Sequence, residues 1–106
     1  TAHAEIVTIR NACKKLETFN LKGLEIYTSC EPCPMCLSAI YWSHIEKIFY
    51  GNSRFDAAKI GFDDNHIYSE LSKNLNDRKI QLHQINQKDA IKAFKDWELK
   101  KDKIEY

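Results

Sequence analysis

Two short runs hold the side chains best suited to chemistry. His3-Ala4-Glu5 sets an imidazole two residues from a carboxylate, and Cys30-Glu31-Pro32-Cys33-Pro34-Met35-Cys36 spaces three thiols three apart. Thiols so spaced can hold an iron–sulfur cluster, a structural zinc or a catalytic zinc, depending on what completes the set. A four-iron cluster takes four thiolates. The remaining cysteine, Cys13, falls on the apolar face of an expected helix and reads as a small core residue. Pro34 suits the first residue of a helix, where no N–H partner is needed. Cys33 and Cys36 then straddle a helix start, and both sulfurs can face one point off its end, where the helix dipole favours thiolate. Cys30 precedes the Glu31-Pro32 bend and is expected to pack under the loop without binding.

Two thiolates leave zinc short of ligands, and His3 is the expected third. Residues two apart on a helix point in different directions. His3 and Glu5 can therefore serve one centre only if it sits off the helix end, as their place in a first turn allows. One His and two Cys are the ligand set of a catalytic zinc, which keeps a fourth position open for water. Zinc lowers the pKa of such water towards about 7, and Glu5, not a ligand, can take its proton and pass it to a leaving group. His44, His66 and His83 are expected at helix ends or on a half-exposed strand, away from the metal.

These residues must be held by elements that the sequence also outlines. Ile6, Ile9, Cys13 and Leu16 recur at three- and four-residue spacing, predicting a helix over residues 2–18. Residues 24–29 alternate as a strand, residues 34–43 form the helix opened by Pro34, and residues 45–50 form a second strand ended by Gly51-Asn52. Residues 53–65 look polar and irregular. A short helix over 66–73, a third strand over 79–85 and an amphipathic helix over 88–101 follow, the last with Ile91, Phe94 and Trp97 inward. Helices alternating with strands imply crossovers and a largely parallel sheet. The cysteine run follows the first strand directly, at the carboxyl end where such folds bind ligands.

At 106 residues the chain suits a single domain with one modest core. Sixteen Lys+Arg against fifteen Asp+Glu give a formal net charge of +1 with no basic stripe, which makes long nucleic acids and anionic membranes poor partners. No apolar run approaches the roughly 20 residues of a membrane span. Three of the four cysteines lie within seven residues, a pattern that fits metal ligation in a reducing cytoplasm better than a disulfide framework.

Taken together, His-x-Glu followed by Pro-Cys-x-x-Cys resembles the zinc nucleobase deaminases, with their cytidine-deaminase-like fold. Thr1-Ala2-His3-Ala4-Glu5, the run from Tyr27 to Trp42, Asp56-Ala57-Ala58, Gly61-Phe62-Asp63-Asp64 and the terminal Tyr106 are similar to the bacterial guanine deaminases. The likeness covers nearly the whole chain, and the Gly61–Asp64 loop and the tail are what point to guanine. The resemblance implies an α/β fold, a three-layer α/β/α sandwich with a mostly parallel sheet. The family's first helix and first two strands have no counterpart here, so an N-terminal portion is expected to be missing. It also implies one Zn2+ per chain, bound by His3, Cys33 and Cys36, and hydrolysis of guanine at C2 to xanthine and ammonia with Glu5 shuttling protons.

Asp64 matches the family's second loop aspartate. An ionised carboxylate is an acceptor-only partner suited to guanine's N1–H and 2-amino group, and Asp64 is implied to accept from both and to relay a second proton. Asp63 ranks below it on the resemblance alone. Ala4, Trp42 and Tyr106 are implied as further substrate contacts, Trp42 by stacking on the purine face. Tyr106 would do so by reaching a partner's pocket in a homodimer that exchanges C-terminal segments. Two competing functions stay open: deamination of cytosine or of tRNA adenosine, and a zinc-stabilised interaction module without catalysis. The near-neutral charge weighs against tRNA.

Overall fold

The protein's computed structural model describes residues 1–105, so Tyr106 and the expectation attached to it lie outside the described residues. The apolar spacing of Ile6, Ile9 and Cys13 becomes α1 (Ala4–Leu16), closed by Glu17 in the left-handed region at φ 52°. There follow β1 (Glu25–Cys30), α2 (Pro34–Trp42), β2 (Lys47–Asn52), α3 (Arg54–Lys59) and α4 (Asn65–Ser72), then a 3-10 turn at Leu75–Asp77 and α5 (Gln87–Leu99). β1 and β2 pair in parallel, in register from Glu25 opposite Lys47 to Cys30 opposite Asn52. Two parallel neighbours need a crossover, and α2 supplies it. The chain divides into two compact units, Thr1–Ser72 and Lys73–Tyr106.

In the first unit one side of the two-stranded sheet carries the core. Ile9 of α1, Leu21, Ile26 of β1 and Ile40 of α2 are buried together, with Cys13, Ala39 and Ile48 packed against them. Cys13 therefore serves as the small packing residue that the helix pattern implied. The buried Ser43 fastens the ends of these elements. Its hydroxyl donates to the Ile40 carbonyl at 3.0 Å, and its own carbonyl accepts from the Leu21 N–H at 2.8 Å. On the sheet's other side Tyr27 and Phe49 stack with centroids 4.8 Å apart. Beside them Lys47 pairs with Glu25 at 3.1 Å in solvent, a contact worth at most about 1 kcal/mol.

The structure departs from the sequence pattern in three places. Residues 53–65, expected to be irregular, contain α3 and the start of α4. The cause is a capping box at Ser53, where the hydroxyl accepts from the Asp56 N–H and the Asp56 carboxylate accepts from the Ser53 N–H. Residues 79–85 do not form the expected third strand. Among the described residues no strand pairs with them, and Ile80 stays 80% exposed. Finally, α5 forms as expected, but its apolar stripe is not inward: Phe94 is 74% exposed, and no residue of the helix is buried. Periodicity sets which face of a helix is apolar, whereas burial needs a surface to receive it.

Ile40 joins the crossover helix to the sheet at 2% exposure. Replacing it with alanine removes buried methyl groups and leaves a void, so Ile40→Ala is expected to lower unfolding free energy by about 2–5 kcal/mol. Urea denaturation of the two proteins measures this, with a shifted midpoint and an unchanged slope.

Candidate metal centre

Two helix starts meet at one point. His3 is the N-cap of α1 and its carbonyl accepts from the Val7 N–H at 3.0 Å; Cys33 is the N-cap of α2 and accepts from the Leu37 N–H at 2.8 Å. Neither cap side chain bonds its own helix, which leaves the imidazole and the thiol free. Their partner across the gap is Cys36, one turn into α2. His3 Nδ1 lies 3.6 Å from Cys33 Sγ and 3.5 Å from Cys36 Sγ, and the three ligating atoms fall within 4.8 Å of one another.

These spacings test whether zinc fits. Zn–S of about 2.3 Å and Zn–N of about 2.05 Å at a tetrahedral angle put sulfur and nitrogen about 3.6 Å apart. The two S···N distances match that edge, so the donor set fits a tetrahedral zinc with a fourth corner left over. Without a cation the pocket opposes thiolate. Burial pushes the Cys36 thiol up to about 12, and the neighbouring Cys33 and Glu5 add to the rise. A bound dication reverses this preference, since a coordinating thiol is deprotonated outright. Among the described residues no other group of His, Cys, Asp or Glu is so arranged. Cys30, the first thiol of the run, instead points its Sγ at the Ser53 carbonyl, 3.8 Å away.

Glu5 stands beside the metal set without joining it. Its Oε1 accepts from the Thr28 hydroxyl of β1 at 3.0 Å, and its Oε2 lies 3.5 Å from Cys36 Sγ. Thr28 thus fixes the carboxylate's rotamer and leaves the second oxygen facing the centre. His3, Glu5 and Cys33 open into a cavity of ≈ 710 Å³ whose far wall includes Arg54, Phe62, Asp63 and Asp64. The two aspartates differ. Asp63 Oδ1 accepts from the Asn65 N–H at 2.9 Å and so holds the start of α4. The half-buried Asp64 caps that helix through its backbone carbonyl, and its carboxylate has no partner among the described residues. Ala4 and Trp42 do not line this cavity; Ala4 is exposed at the first position of α1, and Trp42, at the end of α2, is 67% exposed.

The cavity's far wall is tied to the metal loop by contacts that sequence reasoning missed. The Glu31 N–H donates to the Asn52 carbonyl at 2.8 Å, while Glu31 Oε2 accepts from the Arg54 N–H at 3.0 Å. The capping box then begins α3. Hydrogen bonds from Ser53, with Lys59 alongside, hold the Asp56 carboxyl down at about 2. Its folded pKa is depressed, so the stabilisation is complete above the ordinary value of 3.8 and is lost as pH falls through about 2. A serine three residues before an aspartate was legible as a cap. Thr28 and Glu31 had no sequence signal, because each acts on a residue 23 positions away.

Known proteins share this arrangement. Residues 1–52 match the family described as the cytidine and deoxycytidylate deaminase zinc-binding region. The whole chain is 45% identical to the guanine deaminase of Bacillus subtilis and spans 68% of that protein's length. An X-ray structure of guanine deaminase from Bacillus subtilis superposes with a TM-score of 0.93 over 99% of this chain and 67% of that one. The tRNA-specific adenosine deaminase of Bacillus subtilis is 48% identical over 50 residues, 31% of its length. The chain belongs to the zinc-binding deaminase family that includes this guanine deaminase, and it shares that family's cytidine-deaminase-like α/β fold. Zinc is its metal.

Exchanging single sulfurs for oxygens separates ligands from bystander. Cys33→Ser and Cys36→Ser are each expected to weaken zinc binding at least tenfold, whereas Cys30→Ser leaves it within twofold. Competition against a chromogenic chelator gives the three affinities. Equal losses in all three variants would contradict the assignment.

Proposed function

We propose that this chain performs the hydrolytic deamination of guanine to xanthine and ammonia, with His3, Cys33 and Cys36 holding one zinc ion and Glu5 moving the protons. The observation that carries this reading is the S···N spacing of 3.5–3.6 Å beside a carboxylate that Thr28 holds through Oε1 while Oε2 faces the metal set, 3.5 Å from Cys36 Sγ. The match of 45% to a guanine deaminase along all 106 residues supports guanine as the substrate. The match to the tRNA-specific enzyme of the same organism spans 50 residues and supports the shared zinc chemistry alone.

When bound, zinc supplies Lewis-acid activation of water. Glu5 Oε2 accepts the proton that water gives up as its oxygen bonds to C2 of the base. The same carboxyl passes that proton to N3 as the C2–N3 double bond opens, then carries the remaining hydroxyl proton to the 2-amino nitrogen, so that the C2–N bond breaks, ammonia leaves and C2 becomes the carbonyl of xanthine. Thr28 keeps Glu5 in one rotamer across both transfers. Asp64 is the better choice than Asp63 to accept from N1–H and the 2-amino group. Its carboxylate is half-buried and uncommitted, whereas Asp63 is engaged by the Asn65 N–H. Phe62, 74% exposed on the cavity wall, offers an apolar surface to the flat base.

The same reading extends to assembly and place. The two units act as one deaminase domain, supported by a relative that matches through both. The protein works as a homodimer whose exchanged C-terminal segments complete each pocket with Tyr106, and whose assembly brings Trp42 and Ala4, outside the cavity of the single chain, to the substrate. The exposure of Trp42 and of the α5 stripe supports a surface covered on assembly. No helix among the described residues is long and apolar enough to cross a membrane, and three unbridged thiols close together favour the reducing cytoplasm.

Glu5→Gln keeps the side chain's size and its acceptor for Thr28 but cannot carry a proton. It is expected to lower ammonia release from guanine by about 10²–10⁴-fold with zinc content unchanged. Wild-type rates in the variant, or no ammonia from guanine with the unmodified protein, overturns the proposal.

A further inference from the structure

We infer that Arg54 is a specificity-determining residue of this pocket, reading the O6 and N7 acceptors of the purine while Asp64 reads its donor edge. The inference rests on the guanine reading above and goes beyond it by naming a partner for the base's second polar edge.

Arg54 lines the same cavity as His3, Glu5, Cys33 and Asp64. It is half-buried, and its position is fixed at three points. Its backbone N–H is taken by Glu31 at 3.0 Å, and its guanidinium lies over the Tyr68 ring at 4.3 Å and the Phe55 ring at 4.9 Å. Aromatic faces orient a guanidinium and attract its charge, yet they leave the in-plane N–H groups unused. No carboxylate or carbonyl among the described residues accepts from them, although Glu31, Asp56, Asp63 and Asp64 line the same cavity.

The other polar groups of the wall are largely committed. The Asn52 amide donates to the Ser29 carbonyl at 3.0 Å, Asp56 is held by Ser53 and Lys59, and Asp63 by Asn65. His66 also lines the cavity, but a neutral imidazole offers a single N–H. Among the described residues that line the cavity, Arg54 is therefore the one that carries a planar fork of uncommitted donors. Guanine has the opposite polarity on its two edges: donors at N1 and the 2-amino group, acceptors at O6 and N7. Arginine donating to O6 and N7 together is the commonest specific contact that proteins make to this base. Adenine carries an amino group where guanine carries O6, so the same fork meets a donor and the contact fails. Asp64 alone would distinguish these bases by one edge; with Arg54 the pocket reads both.

Hypoxanthine, which keeps O6, N7 and the N1–H, and purine, which keeps N7 but lacks the oxygen and the N1–H, are compared as competitive inhibitors of ammonia release from guanine. The proteins are wild type, Arg54→Met and Arg54→Lys. Wild type is expected to hold hypoxanthine more tightly than purine. Arg54→Met should weaken hypoxanthine by about 10–100-fold and purine by far less, so that the preference narrows to what the N1–H contact with Asp64 sustains. The contact is remote from the reacting carbon, so the loss with guanine should fall mainly on KM. Arg54→Lys keeps a charge over Tyr68 without the fork and should recover only part of the preference; it decides the matter if the methionine variant does not fold. An unaltered preference, or equal weakening of both inhibitors, overturns the role of Arg54 while leaving guanine deamination standing. A wild-type protein that releases no ammonia from guanine overturns the guanine reading and this inference with it.

Discussion

The convergence of two helix N-termini on one point governs the rest of this structure. α1 delivers an imidazole from its cap and a carboxylate from its first turn, while α2 delivers a thiol from its cap and another one turn on. Side chains at a cap project beyond the helix axis, where residues two or three apart can share a target that they could not share along a flank. The N-terminal dipoles of both helices point at the same place, but burial outweighs them at Cys36, whose thiol is pushed up to about 12. Everything beneath exists to keep those two ends a few ångströms apart. Ile9 and Ile40 bury the two helices on Ile26 of β1, and Ser43 ties the far end of α2 to the segment before β1.

The centre and its pocket are then coupled through a chain of backbone-directed hydrogen bonds. β1 runs into the cysteine loop, β2 lies beside it in register, and Glu31 bridges from that loop to the first residue of α3. α3 and α4 frame the Gly61–Asp64 loop, and the Arg54 guanidinium over Tyr68 braces one helix against the other. Gly61 turns the chain at φ 94°, a conformation that a side chain resists. The loop carboxylates are consequently set by the same framework that sets the metal ligands. Rigid placement of this kind matters because proton transfer needs donor and acceptor within hydrogen-bond reach.

Division of labour between neighbouring like residues recurs throughout the pocket. Of three thiols spaced three apart, two face the imidazole and the third faces a carbonyl of the capping segment. Of two adjacent aspartates, one holds a helix start and the other keeps its carboxylate free. In each pair the chemistry is the same and the backbone position differs. A residue already bonded to an N–H or carbonyl has less to offer a ligand, and the structure leaves uncommitted those groups whose direction is useful.

Much of the centre was legible without coordinates. His-x-Glu and Pro-Cys-x-x-Cys define ligand types, and Pro34 marks the helix start that aims Cys33 and Cys36, because proline there loses nothing by lacking an N–H. The apolar spacing of α1 and the alternation of β1 place both runs at element ends, since those patterns follow from fixed helical and strand periods. Tertiary structure decided what depends on partners remote in the chain. Residues 79–85 have strand-like composition, but a ladder requires a neighbour; the α5 stripe is apolar, but burial requires a facing surface. Thr28 fixes Glu5 because α1 packs on β1, and Glu31 anchors Arg54 because the ends of β1 and β2 lie side by side; in both cases the partners are 23 residues apart. Local sequence sets which groups are present and which way each short element directs them, because propensity and capping act within a turn or two. Which groups end up facing one another is settled only when the elements pack.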